Sequence, residues 1–341
     1  MHQSWGFNRF RIWGLCLFFV FIMTWKAEAF AQQDRISTSK SLAHYIMGQV
    51  YDLLGLTNQA IMEYEKAIES DQGSYLLHLR LGANYARVGL LPEAVNELAI
   101  VTKLNPEDLQ SHYLLALIYS TQKDYAKAAE EYELILKSFS KIEPQNIEIY
   151  GYLGQLYYSQ KKYHQAIEQF EKILTIESQN ADVMYLLASL YLEVDNKNKA
   201  IELLQQSLKA DPQHDGSLNT LAYVYAENNE KLDEALNLIT QALTISPDNG
   251  AYLDSLGWVY YKKGMFEQAL ESLEKANSLL KDPVIFDHLG DVYLALNRAE
   301  EALKHWQLSL DLDPGQEEVK QKINNLQSSR ASNATNNPSN P

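Results

Sequence analysis

The chain has 341 residues, 46% hydrophobic and 21% charged, which excludes a disordered or collagen-like polymer and a polytopic membrane protein. Its 44 acids against 29 bases give a net charge of −15, the wrong sign for a surface that reads a nucleic-acid backbone. One cysteine and eight histidines offer little to a metal or thiol enzyme, and the anomaly is tyrosine, at 22 against 10 Phe and 5 Trp.

At the start of the chain, Arg9 and Arg11 lead into an uncharged run from Ile12 to Trp25. Lys26 closes the run ahead of Ala27-Glu28-Ala29 and Ala29-Phe30-Ala31. A basic start, an apolar core of this length and a small-residue exit predict a signal peptide over residues 1–31. The alternative is an uncleaved anchor, although the run is shorter than the roughly 20 residues of a membrane span. Cys16 follows Trp13-Gly14-Leu15 inside the run and lacks the setting of a lipid-carrying cysteine. Removal of 1–31 leaves 26 bases and 43 acids, a net charge of −17, and no cysteine. An exported protein without disulfides is therefore expected, held together by packing alone. Periplasm is the expected compartment, with membrane anchoring by residues 12–25 or secretion as alternatives. Residues 32–40 read as a linker.

From residue 41 onward a period of about 34 residues takes over. Tyr51, Tyr85, Tyr119, Tyr157, Tyr191, Tyr225, Tyr260 and Tyr293 are spaced by 34, 34, 38, 34, 34, 35 and 33. Three residues before each stands Gly or Ala, and nine after each stands Ala, one later at Ala235 in the sixth unit. Four residues beyond that alanine stands a large apolar side chain: Tyr64, Leu98, Tyr132, Phe170, Leu204, Ile239, Leu273 and Trp306. Apolar residues recur at three- and four-residue steps, so each unit reads as two amphipathic helices. Gly55, Gly89 and Gly264, or Asn229 and Asn297, break the pattern where a tight turn needs positive φ. Pro106, Pro212, Pro247 and Pro314 close units. The units are 41–74, 75–108, 109–146, 147–180, 181–214, 215–249, 250–282 and 283–316. Four extra residues near Ser138 to Gln145 in the third predict a longer second helix or a bulging loop.

The order small, Tyr, Ala, large resembles the tetratricopeptide repeat family across residues 41–316. The resemblance implies an all-α fold, a right-handed α-solenoid of about eight helix-turn-helix repeats, and a protein-interaction role without catalysis. Beyond Pro314, Val319, Ile323 and Leu326 share one helical face, so 317–328 reads as a capping helix with a polar outer side. Residues 329–341 have nothing to bury and read as a disordered tail.

The chain lacks a Gly-rich phosphate loop, a nucleophile elbow and a His-Glu-x-x-His motif, and no cofactor is expected. His44, His78 and His112, spaced by 34, fall where the family places a bulky packing residue and read as packing histidines. His288 with Asp287 and Asp291 is a histidine–carboxylate cluster on one helix, too poor in ligands to predict a metal.

In the family the first helix of each repeat lines the concave side. The positions that point into it hold Tyr45, Tyr113, Tyr158, Tyr185, Tyr223, Asp254, Trp258, Tyr261, Asp287 and Asp291. Aromatic rings with polar tips supply stiff contact area, and acids toward the C-terminal half add charge preference. The implied partner is a protein, through an extended segment with apolar and basic residues. The alternative is that several of these tyrosines only pack between adjacent first helices. The lysine–asparagine clamp by which some relatives grip a C-terminal carboxylate is missing, since Tyr45, Gln49, Leu79 and Ala83 stand in its places. The run Asp248 to Trp258 resembles a segment of bacterial exported repeat proteins. The expected function is a non-catalytic scaffold of the bacterial cell envelope. The alternative is a structural subunit of an envelope machine for polysaccharide export, pilus or outer-membrane assembly, bound through its convex face or repeat edges.

Overall fold

The computed structural model describes residues 39–336, with side chains through Arg330. Among the described residues there are seventeen α-helices and no strand. They fall into two compact bodies that divide between Lys161 and Lys162. The first body holds α1 (Ser39–Leu53), α2 (Thr57–Ser70), α3 (Tyr75–Arg87), α4 (Leu91–Leu104), α5 (Leu109–Thr121), α6 (Tyr125–Ile142) and α7 (Ile147–Ser159). The second holds α8 (Tyr163–Ile176), α9 (Ala181–Glu193), α10 (Lys197–Ala210), α11 (Asp215–Glu227), α12 (Leu232–Ile245) and α13 (Gly250–Lys262). It continues with α14 (Phe266–Leu279), α15 (Pro283–Ala295), α16 (Ala299–Leu312) and α17 (Glu317–Asn336).

Each turn between paired helices is set by the repeat tyrosine and the residue four places after it. The Leu56 amide donates to the Tyr51 carbonyl at 2.9 Å, and Gly55 between them sits at φ 71. The same six-to-one bond closes on Tyr85, Tyr119, Tyr191, Tyr225, Tyr260 and Tyr293. This is the Schellman arrangement, which needs a left-handed residue to turn the chain out of the helix. Asn229 and Asn297 take the position as expected, and Lys123, Lys161 and Asp195 take it without being Gly or Asn. Lys231, the extra residue of the sixth unit, adopts a second left-handed conformation at φ 47.

Packing between the paired helices follows the small–large rule. All eight repeat alanines are buried. A Cβ at Gly48, Gly82, Gly257 or Gly290 would come within 3 Å of Tyr64, Leu98, Leu273 or Trp306, the large residue of the same unit. The glycine thus admits a ring or leucine that fills the interhelical space. The repeat tyrosines add a tie between units. Tyr85, Tyr191 and Tyr293 donate to Glu65, Glu171 and Glu274 on the second helix of the preceding unit at 2.6, 2.8 and 2.9 Å. Tyr157 reaches Glu133 in the same way at 2.9 Å. Burial foremost, then the carboxylate, pushes the Tyr191 and Tyr293 hydroxyls up to about 12.

Helices adjacent in sequence pack in order within each body, which is the α-solenoid arrangement. First helices of neighbouring units also approach one another, α3 with α5, α11 with α13 and α13 with α15. Second helices of neighbouring units approach less, so the first helices lie on the inner side of the curve of each stack. The four extra residues of the third unit lengthen α6 to 18 residues against 14 in α2 and α4, in place of a bulging loop.

Two expectations are corrected. The first helix begins at Ser39, so residues 39–40 are helical, not linker. The last helix runs through Asn336, so residues 329–336, read as disordered tail, continue it. A helix already anchored by packing elongates at little cost. No Gly or Pro interrupts α17, and Arg330 pairs with Glu300 on α16. The signal-peptide and remaining linker residues 1–38, and residues 337–341, lie outside the described residues.

Candidate protein-binding surface

In the second body the inner face is built around a buried histidine. His288 on α15 is 4% exposed, and its Nδ1 donates to Asp254 Oδ1 on α13 at 2.9 Å. Its ring stacks on Trp258 at 4.0 Å, and Trp258 stacks in turn on Tyr261 at 4.8 Å. Tyr223 on α11 flanks His288 at 6.5 Å between ring centroids. The Trp258 indole N–H donates to Glu227, which Lys262 also approaches at 3.7 Å while lying over the indole. Burial presses the His288 imidazole toward neutrality, but the Asp254 carboxylate, with Asp287 and Asp291, holds it above its ordinary value.

One repeat further along, the arrangement recurs with a lysine. Lys322 on α17 donates to Asp287 Oδ1 at 2.7 Å and to Asp291 Oδ2 at 2.8 Å. Burial lowers the Lys322 ammonium, and Asp291 and Asp287 more than restore it, so it stays charged. Burial raises Asp291 in spite of that neighbour. The motif is a diagonal: the fifth residue of one unit is an acid, and the sixth of the next is its base. Asp254 with His288 and Asp287 with Lys322 both obey it. α17 therefore takes the place of a ninth first helix.

Two of the expected wall residues do not stand open. Asp254 is 4% exposed and Trp258 is 7% exposed, because His288 and Glu227 give their polar atoms partners within the body. Asp287 and Asp291 are partly buried and share the ammonium of Lys322, which offsets one of their two charges. Tyr223 and Tyr261 are half-buried, and burial raises both hydroxyls above the ordinary tyrosine value. Tyr185 on α9 is half-buried against the His214 ring at 5.1 Å. In the first body Tyr45 is half-buried, accepts from Gln49 at 2.7 Å, and lies against Tyr64. Tyr113 is half-buried and Tyr158 is 42% exposed. The structure thus gathers Tyr223, Asp254, Trp258, Tyr261, Asp287 and Asp291 into one connected cluster, and Tyr185 lies two helices before it. Tyr45, Tyr113 and Tyr158 belong to the other body.

Residues outside the expected set hold this cluster together: His288, Lys322, Glu227 and Lys262. The signal for the first two was spacing, since Asp254 and His288 are 34 residues apart and Asp287 and Lys322 are 35 apart. Three further histidines are structural. His44, His78 and His112 each bond a glutamate on the paired helix, Glu63, Glu97 and Glu131, at 2.7, 2.6 and 2.6 Å. For His78 and His112 the second ring nitrogen faces the carbonyls of Gln72 and Pro106. Both partners are acceptors, so the ring is fully satisfied only as the imidazolium, and the glutamate bond raises its value against the drag of burial. Among the described residues no group of three or more His, Cys, Asp or Glu is arranged to hold a metal.

Three tetratricopeptide repeat models match the sequence, one over 157–222, one over 107–179, and one over 42–73, 216–249 and 251–279. Together they span more than half of the chain. The chain belongs to the tetratricopeptide repeat family. Proteins of this family act as interaction scaffolds and bind protein partners, typically without catalysis. Among solved structures, this tetratricopeptide repeat protein resembles the Cut9–Hcn1 hetero-tetramer of the APC/C at 18% identity and a TM-score of 0.52. That match covers 79% of this chain and 52% of the other, so the chain spans about half the length of that relative and shares its fold. It is also similar to a thermophilic TPR protein of Thermus thermophilus, 24% identical over 53% of this chain and 98% of that one, with a TM-score of 0.46. A tetratricopeptide repeat protein from Parabacteroides merdae is 13% identical over 85% and 100%, with a TM-score of 0.44. No curated protein matches the chain.

Proposed function

We propose that this tetratricopeptide repeat protein is an adaptor of the bacterial cell envelope that holds an extended segment of a partner protein along the inner face of its first helices. The observation that carries the reading is the recurrence of half-exposed tyrosine on that face, Tyr45, Tyr113 and Tyr158 in one body and Tyr185, Tyr223 and Tyr261 in the other. Such rings desolvate well and lose little rotamer freedom on binding. Glu227 and Asp182 add negative charge beside the tyrosines, which favours Lys or Arg among the partner's apolar residues. The basic start, apolar run and small-residue exit of residues 1–31 support export to the periplasm with removal of the leader.

The test is crosslinking in the native envelope, followed by capture of the identified partner on purified chain. Replacing Tyr113, Tyr158 and Tyr185 with serine removes rings that are not fully buried, so folding is retained and capture is lost. Undiminished capture by that variant would sink the wall reading. It would favour the second one, attachment through the convex face or a repeat edge as a subunit of a larger envelope machine.

A further inference from the structure

The outer face of α1 is apolar and uncovered. Ala43 is exposed, Met47 is 42% exposed and Val50 is 40% exposed. At the same three places in the second unit stand Leu77, Leu81 and Asn84, and in the third Ser111, Leu115 and Ile118, all between 0% and 4% exposed. Those residues are covered because the second helix of the preceding unit packs on them. Leu77 and Leu81 share a core with Ala60, Ile61, Tyr64 and Ala67 of α2. For α1 the place of a preceding second helix is empty among the described residues.

The patch continues through Ile46, 50% exposed, and Leu53 and Leu54, 88% and 65% exposed. It forms one stripe along a 15-residue helix. Its area is on the order of several hundred Å², the size of the largest apolar patch on a typical monomer, which is often functional. Through Arg330, α17 shows no such stripe among the described side chains: it buries Val319 and exposes polar side chains.

What could cover α1 is narrowed by the sequence next to it. Once the leader is removed, as the function proposed above holds, Gln32 to Thr38 remain before the helix, with Ile36 their one large apolar residue. That stretch cannot replace an amphipathic helix. Charge then favours a copy of the same chain. Within α1 the charged residues are Lys40 and Asp52, and Asp52 turns toward Tyr64, Asn84 and Arg87 of its own body. At a net charge of −17, two copies repel over most of their surface. The uncharged α1 stripe is where they can meet without opposing like charges.

We propose that α1 is a self-association surface, pairing with α1 of a second copy about a two-fold axis. Each α1 fills the place that a preceding second helix fills in every other unit. An isologous contact of this kind closes on itself and stops at the dimer.

The test uses chain purified after export, with its N-terminus read by mass spectrometry, and light scattering across a concentration series. The expected mass is that of a dimer. Met47→Glu and Val50→Glu would each bury an unpaired charge and weaken association by at least about tenfold, while helicity and the unfolding midpoint stay unchanged. The processed chain carries no cysteine, so Val50→Cys should link copy to copy on mild oxidation, and Tyr125→Cys, on exposed α6, should not. A processed chain that stays monomeric at every concentration overturns the proposal. So does a dimer that both charge variants leave intact, or a monomer that retains its leader and thereby covers α1 itself. The serine variants of the wall tyrosines separate the two readings. They should lose the partner and keep the dimer, so failure of one leaves the other standing.

Discussion

Gly290→Ala is the sharpest test of the packing that defines the repeat. A Cβ there would lie 2.3 Å from Cδ1 and 2.4 Å from Nε1 of Trp306, where carbon contacts settle at about 3.5–4.0 Å. The indole would have to retreat by about 1 Å, yet Trp306 is 1% exposed and its Nε1 donates to Asp291 Oδ1 at 3.1 Å. Overpacking of this kind costs about 1–3 kcal/mol, and a weakened buried hydrogen bond adds about 1 kcal/mol. Replacing a mid-helix glycine by alanine returns about 1 kcal/mol. The net expectation is a loss of about 1–3 kcal/mol. Trp258 and Trp306 are the only tryptophans after residue 31, so fluorescence in a urea titration reports the second body of the processed chain. Gly151→Ala is the control: nothing lies within 4 Å of its Cβ, and the same exchange should gain about 0.5–1 kcal/mol, read by circular dichroism. Trimming Trp306 to leucine should cost less in the Gly290→Ala background than alone. A Gly290→Ala protein as stable as the wild type would refute the close-approach argument.

Two further expectations concern charge. His78 and His112 sit above the ordinary histidine value of 6.5 when folded, chiefly through bonds to Glu97 and Glu131. Their contribution is therefore complete below 6.5 and is lost as pH rises through the folded value. Stability of the first body should fall as pH rises from 6.5 through the folded values of the two histidines, and His78→Gln with His112→Gln should flatten the profile. Lys322→Ala leaves Asp287 and Asp291 facing each other in a partly buried site and should cost about 2 kcal/mol. A second change, Asp287→Asn, should recover part of that loss in the same urea titration.

The repeat was legible in the sequence because each of its elements needs one residue type at one place. Only glycine admits Trp306 or Tyr64, and the turn after each tyrosine needs a left-handed residue. Lys123, Lys161 and Asp195 show the limit of that logic: φ near 60 falls on residues that do not prefer it, at Lys123 and Asp195 inside a six-to-one bond. The site was less legible. Reading wall positions helix by helix places Asp254 and Trp258 in the open, because the partners that bury them come from other helices. His288 belongs to the next unit and Glu227 to the previous one. A side chain's exposure in a stacked array depends on three consecutive units, and a single-unit pattern carries one of them. The end of α17 escapes for a related reason, since composition alone argues against order where packing upstream supplies it.

These internal pairings decide how the inner face can recognise a partner. Of the acids expected on the wall, Asp254 is paired with His288, and Asp287 and Asp291 share the one ammonium of Lys322, so three carboxylates face two cationic partners and the field they offer a ligand is much reduced. Glu227 is shared with Lys262 and the Trp258 indole, and exposed Asp182 bonds His214. Tyrosine rings, by contrast, offer contact area whose worth does not rest on net charge. Affinity for the partner segment should therefore depend weakly on salt. Between 0.15 M and 1 M salt the screening length shrinks from about 8 Å to about 3 Å. Binding by unpaired acids would lose several tenfold steps over that range, whereas contact through tyrosine should lose less than about tenfold. Calorimetric titration of the identified segment at the two salt concentrations measures the difference. A steep loss that Asp182→Asn and Glu227→Gln abolish would mean that the charges carry recognition and the tyrosines only pack.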